Sequence, residues 1–374
     1  MMRKLRTISV VLLLAAIALG CRRDDILDMD SPQLSVYIDI PQPVLTKADV
    51  GSVAAETAQE YSIQSMQIWV FLSQACGNYA AGYCLGYLQP SPLYFNTSGS
   101  NYSLPINADI AEAHPNVDVY VIANAEAAGY PNLNGFTSRA QLEALMMGGE
   151  RFGISDGAPS CTSVPEDGLP FTGVGRNMQM KGTYPVLKVD VVRLTRAVSK
   201  MRFVFSQLID DEGPVNQCEI TGVTINGGGL AVSEYLFNDS ANPFKIGPDG
   251  YYSNPMEFAL PADFDIALNS EPETYAYIGQ GAQEYSDLIA EGIDNGVLSD
   301  LGLCYMRETD RKISGTISYN LNGRPGSADF EMHDTGDFAR NHYWIVYLYF
   351  TRDAIEFTVS WSFWEKGHDY VLTE

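Results

Sequence analysis

A mostly β chain, built of β-sandwiches with a few short helices, is the fold class that the sequence predicts. Three observations predict it. Apolar residues alternate with polar ones along many short stretches, the period of a half-buried strand. The 374 residues include 22 Tyr and 16 Phe among many Gly, Pro, Ser and Asn, a mixture suited to strands joined by turns. Only two stretches carry a helical period, and no repeat of 20 to 50 residues is visible.

The bulk composition bounds the function. Hydrophobic content of 46% with 18% charged residues describes sizeable cores, and the length is enough for two domains. Net charge is −23, from 46 acids against 23 bases. Nucleic-acid backbones and anionic headgroups are repelled by such a chain, so neither is expected as a partner.

Residues 1–20 read as an export signal. Arg3, Lys4 and Arg6 precede an apolar run from Val10 to Leu19, too short for a spanning helix of about 20 residues. The run ends in ALGC, residues 18–21, which resembles the bacterial lipobox; Cys21 is then the lipidated first residue of the mature chain. Asp24 and Asp25 follow it, similar to the acidic signal that sends lipoproteins of Bacteroidetes to the cell surface.

The first strand is SVYIDI. Leu34, Val36, Ile38 and Ile40 fall on one side, with Ser35, Tyr37 and Asp39 on the other, and Pro41 and Pro43 end any ladder. By composition it reads as an edge strand with a proline brake. Lys47 is the only Lys or Arg between Arg23 and Arg139. Lys47 and Ala48 lie in a polar connector flanked by Pro and Asp, where a protease can bend the chain into its active site.

Strands are expected next at 63–71 (IQSMQIWVF) and 116–124 (NVDVYVIAN). The clearest helix is FTSRAQLEALMMGG, 136–149: Ser138 and Gln141 form a capping box, Leu142, Leu145 and Met146 a stripe, and Gly148 and Gly149 a stop. Residues 156–170 are a Gly-, Pro- and Ser-rich loop. A domain boundary is expected near 186, separating 48–186 from 187–374. Beyond it Met201, Phe203 and Phe205 alternate against Lys200 and Arg202. Strands follow at 218–225 and 312–320, with a second short helix at 284–293. YWIVYLYF, 343–350, is apolar throughout and suits the middle of a sheet. IEFTVSWSF, 355–363, alternates without error: Ile355, Phe357, Val359, Trp361 and Phe363 face one way.

Chemistry is sparse. Asp334-Thr335-Gly336 matches the aspartic-protease triplet, but that mechanism needs two carboxylates sharing a proton and no second triplet exists, so a turn is expected. His114, His333, His342 and His368 have no metal-ligand spacing. Without Cys21 five cysteines remain, an odd number; Cys76 and Cys84 flank a turn at a spacing compatible with closing a hairpin, and no zinc pattern occurs. Neither catalytic residues nor a cofactor or metal is expected. Asp239-Ser240-Ala241 resembles a Bacteroidetes O-glycosylation acceptor.

The matching stretches, in order, are the lipobox cysteine, LTKAD (45–49), IQSMQIWVF, VYVIAN (119–124), LPFTGVG (169–175), VVRLTRAVSKMRFVF (191–205), RNHYWIVYLYF (340–350) and the closing strand. Together they resemble the fimbrillins, or type V pilins, of the Bacteroidales. The resemblance implies two tandem transthyretin-like β-sandwich domains, preceded by a propeptide at 21–47. It also implies an outer-membrane lipoprotein precursor cut after Lys47 by a trypsin-like surface protease. Leu34, Val36, Ile38 and Ile40 would leave with the removable first strand, and a strand from another fimbrial subunit would fill the slot. Ile355 to Phe363 is the candidate donor, or else the last strand of its own sandwich. The polar segment after Trp364, EKGHDYVLTE, offers little more to donate, which keeps a tip or accessory role open beside a stalk role. The competing expectation is a non-polymerising surface lipoprotein that binds a glycan or host ligand, with Trp69, Trp344, Trp361, Trp364 or exposed tyrosines as stacking platforms.

Overall fold

The computed structural model describes residues 31–41, 58–91, 100–238, 244–276, 283–352 and 355–364. In chain order its main elements are β1 (Gln33–Asp39), β2 (Met66–Leu72), β3 (Cys84–Leu88), β4 (Ser100–Pro105), α1 (Ala108–Ala113) and β5 (Asn116–Ala123). Then come α2 (Arg139–Glu143), β6 (Phe171–Gln179), β7 (Lys181–Thr183), β8 (Val186–Lys188), β9 (Val192–Arg193), β10 (Thr195–Arg196) and β11 (Ser199–Asp210). The remainder is β12 (Cys218–Ile225), β13 (Met256–Phe258), α3 (Gln283–Asp294), β14 (Ser299–Met306), β15 (Ser314–Leu321), β16 (Arg324–Glu331), β17 (His342–Phe350) and β18 (Ile355–Phe363). The chain is mostly β, as its alternating patterns require.

Four main sheets account for these strands. In the first, β4 flanks one side of β1, while β8 and β9 flank the other and β7 lies beyond β8. The second runs β10-β6-β5-β2-β3. These two sheets bury their apolar residues in one cluster, including Leu34, Val36, Ile38, Ile68, Val70, Val119 and Leu187. In the third sheet β14 and β17 flank β11, and β18 closes the far edge beyond β17. The fourth runs β13-β12-β15-β16. Met201, Phe203 and Phe205 of β11 meet Val223, Ile317 and Phe330 of the fourth sheet in a second cluster. Tyr285 and Ile289 of α3 cover the other face of the third sheet, against Ile345, Tyr347 and Tyr349.

That covering corrects the simple alternation along β11. Lys200 and Arg202 do not face water; they are 3% and 1% exposed, because β11 is a central strand buried on both faces. β17 is central as its uniform apolarity predicts, between β11 and β18.

The expected helix at 136–149 is shorter. α2 ends at Glu143, although its capping box forms as read: Ser138 Oγ accepts from the Gln141 amide and Gln141 accepts from the Ser138 amide. Met146 and Met147 leave the helix to pair with Tyr235 and Glu234, and the Tyr130 hydroxyl holds the Met146 amide at 2.9 Å. Tertiary pairing overrides the helical continuation. α3 forms where expected.

Candidate functional site

β1 is the centre of the site, and its place in the sheet differs from the edge strand read by composition. Six residues of β1, Gln33 to Ile38, pair antiparallel with β4. On its other side Gln33 to Ser35 pair parallel with β8, and Ile38 and Asp39 with β9. Backbone bonds just beyond the strands continue the seam with β8 and β9: Gln33 N donates to Pro185 O at 2.7 Å, Val189 N to Ser35 O at 3.1 Å, and Leu194 N to Asp39 O at 3.0 Å. Pro41 stops the ladder only after these bonds are made.

The inward side chains are fully sealed. Leu34, Val36 and Ile38 are 0% exposed and Ile40 is 2% exposed. At about 1.5–3 kcal/mol per buried aliphatic side chain, the four together hold roughly 6–12 kcal/mol before ordering costs. On the outward face the Ser35 and Ser103 hydroxyls lie 3.2 Å apart, and Arg193 Nε reaches Asp39 Oδ2 at 3.2 Å. Gly173 of β6 permits the approach of β9: a Cβ there would stand 2.6 Å from the Arg193 carbonyl oxygen. Cys21, Lys47, Ala48 and Ser240 lie outside the described residues.

A buried ionic knot, invisible in the sequence pattern, joins the chain just after the connector to the end of β18. The Glu60 carboxylate accepts from Lys200 Nζ (2.7 Å), the Tyr305 hydroxyl (2.7 Å) and Trp364 Nε1 (2.6 Å). Trp364 stacks on Tyr305 with ring centroids 5.7 Å apart, and the Arg196 guanidinium lies 4.5 Å from the Trp364 ring. Arg196 also donates to the Glu60 carbonyl and to Asn341 Oδ1, and the Tyr61 hydroxyl donates to the Trp364 carbonyl. The tryptophan belongs to the same hydrophobic cluster as β1.

β18, the candidate donor, sits in its own sheet. All nine of its residues pair antiparallel with β17, from Ile355 opposite Phe350 to Phe363 opposite His342. Val359 and Trp361 pack on the second cluster, and Trp361 stacks on His342 at 4.4 Å.

A second buried charge cluster lies where residues 234–235 meet 146–147. Arg340 pairs with Glu308 at 2.6 Å and donates to the carbonyls of Leu236 and Tyr235. Glu234 Oε2 accepts from the Glu308 amide, while its Oε1 has no hydrogen-bond partner among the described residues. Burial, then the nearby Glu308 charge, holds the Glu234 carboxyl well above the ordinary carboxylate range.

The remaining candidates resolve simply. Asp334-Thr335-Gly336 is a turn, with the Asp334 amide donating to Asp337 Oδ2. Cys76, Cys84, Cys161, Cys218 and Cys304 are free thiols. Burial pushes Cys161 up to about 12 and Cys218 to about 11, so neither is a nucleophile near neutral pH. Among the described residues no group of three His, Cys, Asp or Glu could hold a metal ion. Trp69, Trp344 and Trp364 are buried, which removes them as stacking platforms. An open cavity of about 880 Å³ is lined by Tyr130, Arg151, Phe152 and Cys161 among others.

No family model matches the chain, and no curated protein matches it in sequence. Solved structures do resemble it. One is the tip fimbrial protein Mfa3 from Porphyromonas gingivalis with C-terminal truncation, at 13% identity and a TM-score of 0.49, covering 89% of this chain and 100% of that one. Another is a fimbrial assembly protein from Parabacteroides distasonis, at 14% identity and 0.45, covering 88% and 95%. A third is the fimbrial anchor protein Mfa2 from Porphyromonas gingivalis, at 7% identity and 0.39, covering 85% and 90%. The likeness to these three fimbrial proteins, each below 15% identity, is one of fold.

Proposed function

We propose that this chain is a structural subunit of a cell-surface fimbria that supports adhesion. It is exported as a lipoprotein on Cys21, cut after Lys47 by a trypsin-like protease, and joined to its neighbours by a strand that replaces β1. The first two sheets and the last two correspond, in this reading, to two tandem transthyretin-like sandwiches meeting between β10 and β11, since Val186 to Arg196 pair within the first two sheets.

The observation that supports it is the setting of β1. The strand is short and joins the described chain beyond it only through the segment that carries Lys47. It is held on both sides and fills four apolar positions. Its loss would leave two rows of unpaired backbone groups facing each other across an apolar trough. Such a trough favours uptake of another alternating strand.

Trypsin treatment of the purified precursor should yield an Ala48 N-terminus, followed by polymers. Equal polymerisation by a Lys47→Ala protein would sink the proposal.

One observation favours a tip or accessory position over a stalk position. β18 is paired along its whole length, and Trp364 anchors its end in the Glu60 knot. A subunit that keeps β18 at home accepts a strand more readily than it gives one.

A further inference from the structure

The open cavity of about 880 Å³ lies apart from the strand slot, since no residue of β1 lines it. Its lining comes from three stretches, within 127–130, 146–152 and 155–165. The volume falls in the range of about 300–1,000 Å³ that holds small ligands.

Its walls are fixed in advance, and one of them is strained. Phe152 is 2% exposed and has a φ of 50°, the left-handed region that bulky side chains avoid. Such a conformation costs about 1–3 kcal/mol and persists only where the surroundings enforce it. Arg307, just beyond β14 and itself buried, does so from behind. Its amide donates to the Phe152 carbonyl at 3.0 Å, and its guanidinium donates to the carbonyls of Gly149 and Arg151. The Gly153 amide adds a bond to Ser160 Oγ at 2.9 Å. The other walls are tied to each other. The Tyr130 hydroxyl donates to the Met146 carbonyl at 2.7 Å and accepts from the Met146 amide, while Arg151 Nη1 donates to the Ala127 carbonyl at 2.8 Å.

Arg151 and Glu150 both line the cavity, both are exposed, and neither makes an ion pair among the described residues. The guanidinium keeps donors beyond its bond to Ala127, and the carboxylate only accepts. A ligand touching both must accept from one and donate to the other, which hydroxyl groups do. An anion would meet Glu150 and the exposed acids Glu126 and Glu166, which adjoin Ala127 and Pro165, in a chain of net charge −23. A cation would meet Arg151. Tyr130, Met146 and Ala127 add apolar surface, which suits the C–H face of a sugar ring. We infer that this cavity binds a neutral saccharide, with Arg151 and Glu150 sharing its hydroxyls and Tyr130 and Met146 against a ring face. The inference names a ligand class for the adhesion proposed above; it rests on that reading for its setting at the cell surface, and on none of its strand chemistry.

The test applies the purified full-length chain to an array of neutral, sialylated and sulfated oligosaccharides. Calorimetric titration then follows with the neutral oligosaccharide of strongest signal. The parent chain should bind neutral sugars, with an affinity that salt leaves unchanged because the ligand has no charge to screen. Arg151→Ala and Glu150→Ala should each weaken binding about tenfold or more, the scale of a hydrogen bond to a charged group. Both side chains are exposed, so melting temperatures should stay at the parent value.

Failure to bind any neutral oligosaccharide overturns the inference. So does a preference for sialylated or sulfated ones, or parent-like binding by both variants. Polymer formation by the Lys47-cut chain is scored separately. A chain that polymerises but binds no neutral sugar leaves strand replacement standing, and one that binds the sugar without polymerising overturns strand replacement alone.

Discussion

At the scale of single residues, the informative groups are the buried charges. Glu60 is enclosed with one lysine and two neutral donors, and each carboxylate oxygen has a partner. Removing it leaves Lys200 charged and enclosed, so Glu60→Ala should lower unfolding stability by about 3–5 kcal/mol in urea titrations. Glu234 behaves in the opposite sense. Its folded carboxyl is shifted upward, so the native state holds a proton that the unfolded chain releases. Its contribution is complete below the ordinary carboxylate range, declines as pH rises above it, and is exhausted beyond the folded value. Glu234→Gln should therefore flatten the fall in melting temperature between pH 5 and 8, relative to the parent chain. Neither group was legible in the sequence. Glu60 meets Lys200 across 140 positions and Trp364 across 304, and no local pattern encodes such distances. Lys200 even looked outward, because alternation reports two faces without saying that Glu60, Tyr343 and Trp364 enclose the group on the second.

At the scale of elements, local signals were read well where local forces decide. The Ser138–Gln141 box starts α2 at the expected residue, and IEFTVSWSF forms a strand over its full length. The helix fails beyond Glu143 because Met146 and Met147 find strand partners far along the chain, at Tyr235 and Glu234. The apolar face of β1 was plain from alternation, but its second neighbour was not. A parallel partner at 186–193 leaves no mark on residues 33–39. β18 carries a prediction of its own. Its far end is fixed by Trp364, so Trp364→Ala should cost about 3–5 kcal/mol for the lost side chain. Hydrogen exchange should show the β18 amides opening first, with those of β11 still protected.

At the scale of the whole molecule, the first hydrophobic cluster extends beyond the sheets that build most of it. Leu303, Tyr305 and Trp364, from β14 and the end of β18, belong to it along with Leu34 and Ile38. The net charge of −23 opposes close approach of copies. Polymer formation by the Lys47-cut chain should accordingly be faster in 150 mM salt than in 10 mM salt, as light scattering would record.

The flanking of β1 on both sides has a mechanical meaning. A strand at a sheet margin can be peeled, one bond opening after another under a small force. A strand gripped between two neighbours and drawn along its own axis must slip past both ladders at once. Any partner seated there would be loaded in shear, and the lifetime of the joint under tension would follow the rate of that concerted rupture rather than the affinity measured at rest.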